Sequence, residues 1–321
     1  PSFAPGQFLT FQLKIPGQPR PLVRCYSLSD APGSGTCRVS IKRVPAPRGT
    51  DHPPGLSSGF FHDAVKEGDI LDVKAPAGRF VLDPADDSPV VLIAGGVGIT
   101  PMLTMLNAVV GAGSRREIWL FYGVRHGGEQ IMKEHLRNIA RDHANVRMQV
   151  CYSSPREGDA ADHDYQHAGR ISIDLLRRLL PSNNYDFYVC GPPPLMDSVI
   201  GGLGEWGVPK GRVHFEKFGP GPPKKKPLRP AAAVGGPGIE VVFMRSGVKA
   251  AWAPATGTLL DLARAQGIAI ESGCERGDCG TCQTAIRKGR VKYEENPAFD
   301  CEPGTCLVCC AVPEGPLELD I

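Results

Sequence analysis

Neither sign of charge is in excess in this chain: 36 Lys plus Arg face 34 Asp plus Glu, a net of +2 over 321 residues. A partner as acidic as nucleic acid is therefore not expected. The sequence has no internal repeat, no Gly-x-Ser-x-Gly elbow and no metalloprotease helix. Histidines such as His126, His135 and His143 stand in polar helical text without metal-ligand spacing, which places them on the surface. Hydrolytic chemistry is unsupported. The opening PSFAPGQFLTF lacks the basic stretch, apolar stretch and small-residue cleavage site of a secretory leader, so the cytoplasm is the expected compartment. Charge is missing altogether between Asp87 and Arg115, a length that could cross a bilayer. The Gly95-Gly96-Val97-Gly98 cluster and Pro101 divide that stretch into a β-branched run, a turn and an apolar helix pattern, so no membrane partner is expected.

What is present is an ordinary globular composition, 41% hydrophobic and 22% charged, in a chain long enough for two or three domains. Its composition breaks sharply at 219–238, where PGPPKKKPLRPAAAVGGPG reads as a linker, part stiff and part flexible. The module after it, 239–321, holds 8 Lys plus Arg against 12 Asp plus Glu, a net of −4 that leaves +6 for the residues before it. Before the linker the texture changes near Asp83-Pro84. Residues 1–84 contain FLTFQLKI, VRCYSLS, CRVSIKRV and DILDVKAP, short runs with partial alternation, as in an antiparallel β-barrel. About four strands are fewer than closed barrels usually carry, so an N-terminally incomplete barrel is expected. Residues 85–218 alternate strand, glycine turn and helix, the rhythm of a parallel sheet flanked by helices.

Cysteine usage is concentrated: seven of the eleven fall from Cys274 to Cys310, which favours a metal site over a dispersed disulfide framework. In IESGCERGDCGTCQTAIRKG, Cys274, Cys279 and Cys282 follow C-x4-C-x2-C, the spacing of a plant-type [2Fe-2S] site. Gly273, Gly277 and Gly280 suit a backbone that must curl closely around the centre. Cys306, Cys309 and Cys310 are each within reach as a fourth ligand. A structural zinc ribbon built from Cys279, Cys282, Cys306 and Cys309 is the rival, and it leaves Cys274 and the glycines unexplained. Cys25, Cys37 and Cys151 lie in strand-like text as buried small apolar side chains, and Cys301 and Cys306 read as bystanders.

From Gly6 to Ile321 the chain resembles flavin-dependent ferredoxin reductases, in particular the phthalate dioxygenase reductase type and the reductase half of flavohaemoglobins. RCYSLS matches the family's R-x-Y-S motif, which implies Arg24 at the flavin phosphate, Tyr26 against the isoalloxazine and Ser27 near N5. PPGLSSGFFHD is similar to the second flavin segment, with Ser57 and Ser58 as phosphate or pyrophosphate contacts, and favours FAD over FMN. AGGVGITPM resembles the nicotinamide-nucleotide loop, which places Gly96, Gly98, Thr100 and Pro101 near the pyrophosphate. The segment with Cys190, Gly191 and Pro192 resembles the nicotinamide site, and HFEKFGP supplies Glu216 as the active-site acid and Phe218 as the flavin-covering aromatic. The resemblance also selects Cys309 as the fourth cluster ligand, since it stands four residues before Pro313 and a closing strand.

The implied fold is a flavin-binding β-barrel (1–84), an NAD(P)-binding α/β domain (85–218) and, after the linker, an α+β β-grasp ferredoxin domain (239–321). The implied activity is that of an NAD(P)H-dependent oxidoreductase using Ser27, Cys190 and Glu216. NADH is favoured over NADPH by the resemblance, although Arg125, Ser153, Ser154 and Arg156 would permit a 2′-phosphate. Electrons would pass through flavin and cluster to a metal-containing acceptor protein or an upstream fused domain. Two alternatives are an electron-transfer subunit of a dehydrogenase and a non-enzymatic zinc module.

Overall fold

The computed structural model describes residues 2–33, 35–47, 49–218, 238–294, 296–297 and 299–321. Residues 219–237 of the expected linker lie outside the described residues. The chain divides into two compact units. One comprises Tyr26–Val65 and Phe80–Phe218 with the residues up to Phe8; the other comprises Leu9–Cys25, Lys66–Arg79 and the described residues after Phe218.

The N-terminal segment forms β1 (Phe8–Leu13), β2 (Leu22–Ser27), a short helix α1 (Leu56–Asp63) and β3 (Asp72–Ala77), the strands ordered β2-β1-β3. The run CRVSIKRV, expected as a strand, makes only an isolated bridge between Leu28 and Val39. Pro45 and Pro47 follow it without N–H donors, and Arg38 is held instead by reciprocal bonds with Ser29: Ser29 N–H to Arg38 O at 2.8 Å, Arg38 Nη2 to Ser29 O at 2.7 Å.

The larger unit is built on β4 (Val90–Gly95), α2 (Ile99–Gly111), β5 (Ile118–Val124), α3 (Lys133–Asp142), β6 (Val146–Tyr152), β7 (His167–Ala168), α4 (Ile173–Leu179), β8 (Asp186–Cys190), α5 (Pro193–Glu205) and β9 (Val213–Glu216). Its six strands are ordered β7-β6-β5-β4-β8-β9, all in parallel register. VVLIAG is buried on both faces because helices cover both. Val90, Leu92 and Ala94 pack with Met102, Leu103, Leu106 and Val109 of α2, whereas Val91 and Ile93 pack with Leu175, Leu176, Met196 and Val199 of α4 and α5. Each fully buried aliphatic contributes roughly 1.5–3 kcal/mol, so the uncharged stretch after Asp87 is spent on the core. Among the described residues no helix is long and apolar enough to cross a membrane. His126, expected on the surface, is buried just beyond β5, while His135 is half-buried and bonded to Asn107 Oδ1 at 2.8 Å.

β5, β6 and β7 extend to one side of β4 and β8 and β9 to the other, so the order reverses at β4. In open parallel sheets the crevice at that reversal, outside the strands' carboxyl ends, is where ligands bind. Gly98 lets the chain turn there: an added Cβ would lie 2.2 Å from the Cys190 carbonyl oxygen and 2.6 Å from its carbon.

The C-terminal module contains β10 (Ile239–Phe243), β11 (Val248–Trp252), α6 (Leu259–Ala265), β12 (Gln283–Lys288), β13 (Val291–Tyr293), β14 (Thr305–Leu307), β15 (Ala311–Pro313) and β16 (Leu317–Leu319). A mixed sheet ordered β11-β10-β16-β12-β14 grips α6, with β10 and β16 parallel and the other pairs antiparallel. The helix starts where Thr258 and Asp261 cap each other, Thr258 Oγ1 accepting from Asp261 N and Asp261 Oδ2 from Thr258 N. Leu259, Leu260, Leu262 and Ala263 then bury against Val241, Phe243, Leu307 and Leu317.

The close approach at Gly98 predicts that Gly98→Ala destabilises the α/β domain by about 3 kcal/mol or more, because the clashing partner is backbone. Gly111→Ala, at the open end of α2 with nothing within 4 Å, is expected to stabilise it by about 0.5–1 kcal/mol. Urea titration of both variants checks the contrast.

Candidate functional site

Sheet register assembles the first part of the site. Ala94 pairs with Cys190 and Cys190 with Glu216, which brings the ends of β4, β8 and β9 together. Cys190 is wholly buried, and Glu216 is 6% exposed. The Ser27 hydroxyl donates to Glu216 Oε2 at 3.2 Å in a buried bond, so a residue from the end of β2 joins the rim. Phe218, two residues on, packs partly buried against the core cluster that includes Cys190.

The glycine turn forms the floor. A cavity of about 560 Å³ is lined by Gly95, Gly96, Pro192, Lys42, Arg125 and Glu129 among others, and a smaller one of about 220 Å³ by Gly96, Val97, Ser40, Lys42, Tyr122 and Glu129. Gly96 has a φ of +55°, a left-handed position that suits glycine. Gly191 and Gly95 are packed backbone to backbone, since a Cβ on Gly191 would meet Gly95 Cα at 3.0 Å. Thr100 and Pro101 are buried in the first turn of α2 and line neither cavity; the Thr100 hydroxyl donates to Val97 O at 3.0 Å, so both shape the turn from behind.

Sequence reasoning missed much of the cavity lining, including Lys42, Tyr122 and Glu129. Tyr122 lies within β5, in a strand run legible as such, but Lys42 and Glu129 carry no local signature. Arg125, considered for a 2′-phosphate, is paired with Glu129, and that guanidinium holds the Glu129 carboxyl below its ordinary range.

At α1 the Tyr26 hydroxyl and Ser57 Oγ are hydrogen-bonded at 2.6 Å, and Phe61 meets the Tyr26 ring edge-on at 5.3 Å. Ser58 uses its hydroxyl within the fold, accepting from Val44 N at 3.1 Å and donating to Gly55 O at 3.0 Å. Arg24 is exposed, with Nη1 donating to Val23 O at 2.7 Å.

In the other unit the loop 273–282 directs backbone N–H groups at two of its sulfurs. Backbone N–H groups of Arg276 and Asp278 donate to Cys274 Sγ at 3.4 and 3.2 Å, and that of Cys274 to Cys279 Sγ at 3.3 Å. The Cys279 thiol is held well below the ordinary range by hydrogen bonds from Cys25 and Cys274, with a further one from Thr281. Cys282 has the Cys309 sulfur as its neighbour, which pushes the Cys282 thiol up. Cys274 neighbours Cys279 and Cys282 neighbours Cys309, although among the described residues no group of three or more ligating side chains is gathered. Two cysteine pairs fit the donor set of a binuclear [2Fe-2S] centre, which four cysteines hold. A zinc ribbon would require Cys306 at the centre; instead it is fully buried in the module's core, where burial pushes its thiol up to about 12. Cys151 is buried as expected, but Cys25 and Cys37 are only half-buried.

Three family models match in succession: the oxidoreductase FAD-binding domain at residues 2–82, the oxidoreductase NAD-binding domain at 92–200 and the 2Fe-2S iron-sulfur cluster binding domain at 243–314. The flavohemoprotein of Bacillus thuringiensis subsp. konkukian is 41% identical over 219 residues, 68% of this chain and 54% of that protein. The chain thus spans about half the length of the curated relatives it matches. Among solved structures, phthalate dioxygenase reductase, described as a modular structure for electron transfer from pyridine nucleotides to [2Fe-2S], aligns over 100% of this chain and 89% of its own, with 27% identity and a TM-score of 0.57. An intact type IV self-sufficient cytochrome P450 monooxygenase aligns over 100% of this chain and 37% of its own, with 26% identity and a TM-score of 0.65.

The pairing of sulfurs predicts which cysteines can be spared. Cys309→Ala is expected to lose most bound iron and visible colour, whereas Cys306→Ala and Cys310→Ala keep both; iron and acid-labile sulfide assays on the purified variants check this.

Proposed function

The chain belongs to the flavin-dependent, ferredoxin reductase-like family with a 2Fe-2S domain, and from that premise we propose that it oxidises NADH and delivers electrons one at a time to a haem or other metal-containing acceptor. FAD, the nicotinamide nucleotide and the [2Fe-2S] centre supply the redox chemistry when bound, converting a hydride, which carries two electrons, into single-electron transfers. The domains, proposed at 1–84, 85–218 and 239–321, divide the labour. The observation that carries the reading is the meeting of Ser27, Cys190 and Glu216 at the carboxyl rim of a parallel sheet whose glycine turn opens onto the larger cavity.

In this reading Arg24 offers a fixed-charge fork to a flavin phosphate, and α1 offers backbone N–H groups at its start. Tyr26, steadied by Ser57 and Phe61, supplies an aromatic face for the ring. Glu216 Oε2 holds the Ser27 hydroxyl proton and so fixes the direction in which Ser27 Oγ presents its lone pairs. Gly96, Gly98, Gly191 and Pro192 keep the turn narrow enough for the nucleotide backbone to approach, with Thr100 and Pro101 bracing it. Cys190 packs behind the nicotinamide position and Phe218 covers the flavin. Cys274, Cys279, Cys282 and Cys309 hold the cluster.

The acceptor is either a separate protein or a domain fused to this chain. Both a flavohemoprotein and a self-sufficient P450 monooxygenase are longer than the part that matches, which supports a haem acceptor. The cytoplasm is the proposed compartment.

Two outcomes test the reading. Cys279→Ser is expected to spare NADH-dependent ferricyanide reduction while reducing cytochrome c reduction at least tenfold; equal loss of both would contradict it. Because Glu129 neutralises Arg125 just beyond the second strand of the nucleotide fold, where an acid favours a free ribose 2′-OH, kcat/KM is expected to be higher for NADH than for NADPH. Glu129→Gln should narrow that ratio about tenfold in steady-state assays with each nucleotide.

A further inference from the structure

Residues from outside the C-terminal module touch the loop that carries the cluster ligands, and any role for them toward the cluster rests on the proposed reading of that loop as a [2Fe-2S] site. The touching residues fall in the segment 2–82 matched by the FAD-binding model, and they share one compact unit with the loop. Val23 of β2 is close enough that a Cβ on Gly273 would meet Val23 Cγ1 and Cys279 Sγ alike at 3.0 Å. Cys25, two residues on and so on the same face of β2 as Val23, lies 3.4 Å from the Thr10 hydroxyl, and the neighbouring Cys279 sulfur pushes its thiol up. From β3, Lys74 Nζ donates to Thr281 Oγ1 at 3.3 Å, and that hydroxyl lies 3.3 Å from Cys279 Sγ. Arg20 adds a bond to Ala269 O at 3.3 Å. Mere docking is accomplished by Arg20 and Val23; Cys25 and Lys74 do something else, since both lead to the same sulfur.

We infer that Cys25 and Lys74 are positioning residues that act through Cys279 to raise the reduction potential of the cluster. On the face of β2 that meets the loop beside Cys279 Sγ, the Cys25 S–H is placed to donate to a Cys279 thiolate. A Cys279 thiolate has no proton to give, so its 3.3 Å contact with Thr281 Oγ1 then runs from the hydroxyl to the sulfur, and the Lys74 ammonium bonded to Thr281 Oγ1 polarises that hydroxyl, so this donor is charge-assisted. Reduction of the cluster by one electron adds negative charge that its sulfur ligands share. Donors to a ligand sulfur therefore stabilise the reduced form more than the oxidised one, which is one of the protein's levers on an iron-sulfur potential. The x position of the R-x-Y-S motif thus serves the cluster, while its neighbours on either side serve the flavin.

The test is a spectroelectrochemical titration of the purified holoprotein, with flavin and cluster followed separately and iron content measured on each sample. Cys25→Ala and Lys74→Met are each expected to lower the cluster's one-electron reduction equilibrium about tenfold, equivalent to about 59 mV, with the flavin couple unmoved. Cys25→Ser keeps a donor and should stay within about twofold of wild type, and Lys74→Met should lose its effect in a Thr281→Val background. Cluster potentials within twofold of wild type in both Cys25→Ala and Lys74→Met, at full iron content, overturn the inference. So does an undiminished Lys74→Met effect in the Thr281→Val background, which would make it a through-space field. If Cys25→Ala fails to retain iron, Lys74→Met alone decides. Wild-type protein free of iron overturns the site reading beneath the inference, a distinguishable failure.

Discussion

The parallel register that sets Ala94 beside Cys190 and Cys190 beside Glu216 is the constraint from which the reactive rim follows. A parallel ladder has no freedom to slide without moving every buried side chain of β4 off its layer, because alternate residues serve two different cores. The rim is therefore specified by hydrophobic packing remote from it. Gly98, pressed against the Cys190 carbonyl, joins the turn at the end of β4 to the turn at the end of β8. Ser27 reaches this rim through a single buried hydrogen bond, and Thr104 Oγ1, donating to Leu28 O at 2.6 Å, ties the chain just beyond Ser27 to α2.

A different force organises the cysteine loop. Its backbone curls so that N–H groups point at sulfur, an arrangement that is wasteful around neutral thiols and favourable around thiolates. Glu275, itself in the left-handed region at φ +57°, is held by Arg264 of α6, so the helix that builds the module's core also pins the loop. The loop's charge preference and the fold's stability are thus coupled through one ion pair. The domain in which this loop lies matches the 2Fe-2S cluster binding model over residues 243–314.

Legibility in the sequence varied with how local the physics is. The cysteine spacing, the glycine turn and the strand-helix rhythm of 85–218 were readable, since each is set by chemistry within a few residues. CRVSIKRV misled because alternation alone does not make a ladder when the following prolines remove donors and no partner strand pairs with it. Thr100, Pro101 and Ser58 lie in the matching motifs, yet their side chains bond inward and shape backbone. Lys42, Glu129, Cys25 and Lys74 were not readable at all: each acquires its position from residues tens or hundreds of places away, and nothing near Cys25 distinguishes it from an ordinary strand cysteine.

The central claim is that reducing equivalents enter in pairs at the rim formed by Ser27, Cys190 and Glu216 and leave singly through the cysteine loop. Anaerobic stopped-flow mixing of the purified protein with NADH, resolved by wavelength, tests it most directly. Bleaching of the flavin should come first and follow the nucleotide concentration, with loss of cluster colour trailing it at a rate independent of that concentration. Cluster bleaching that precedes the flavin, or that proceeds unchanged in flavin-free protein, would contradict the account.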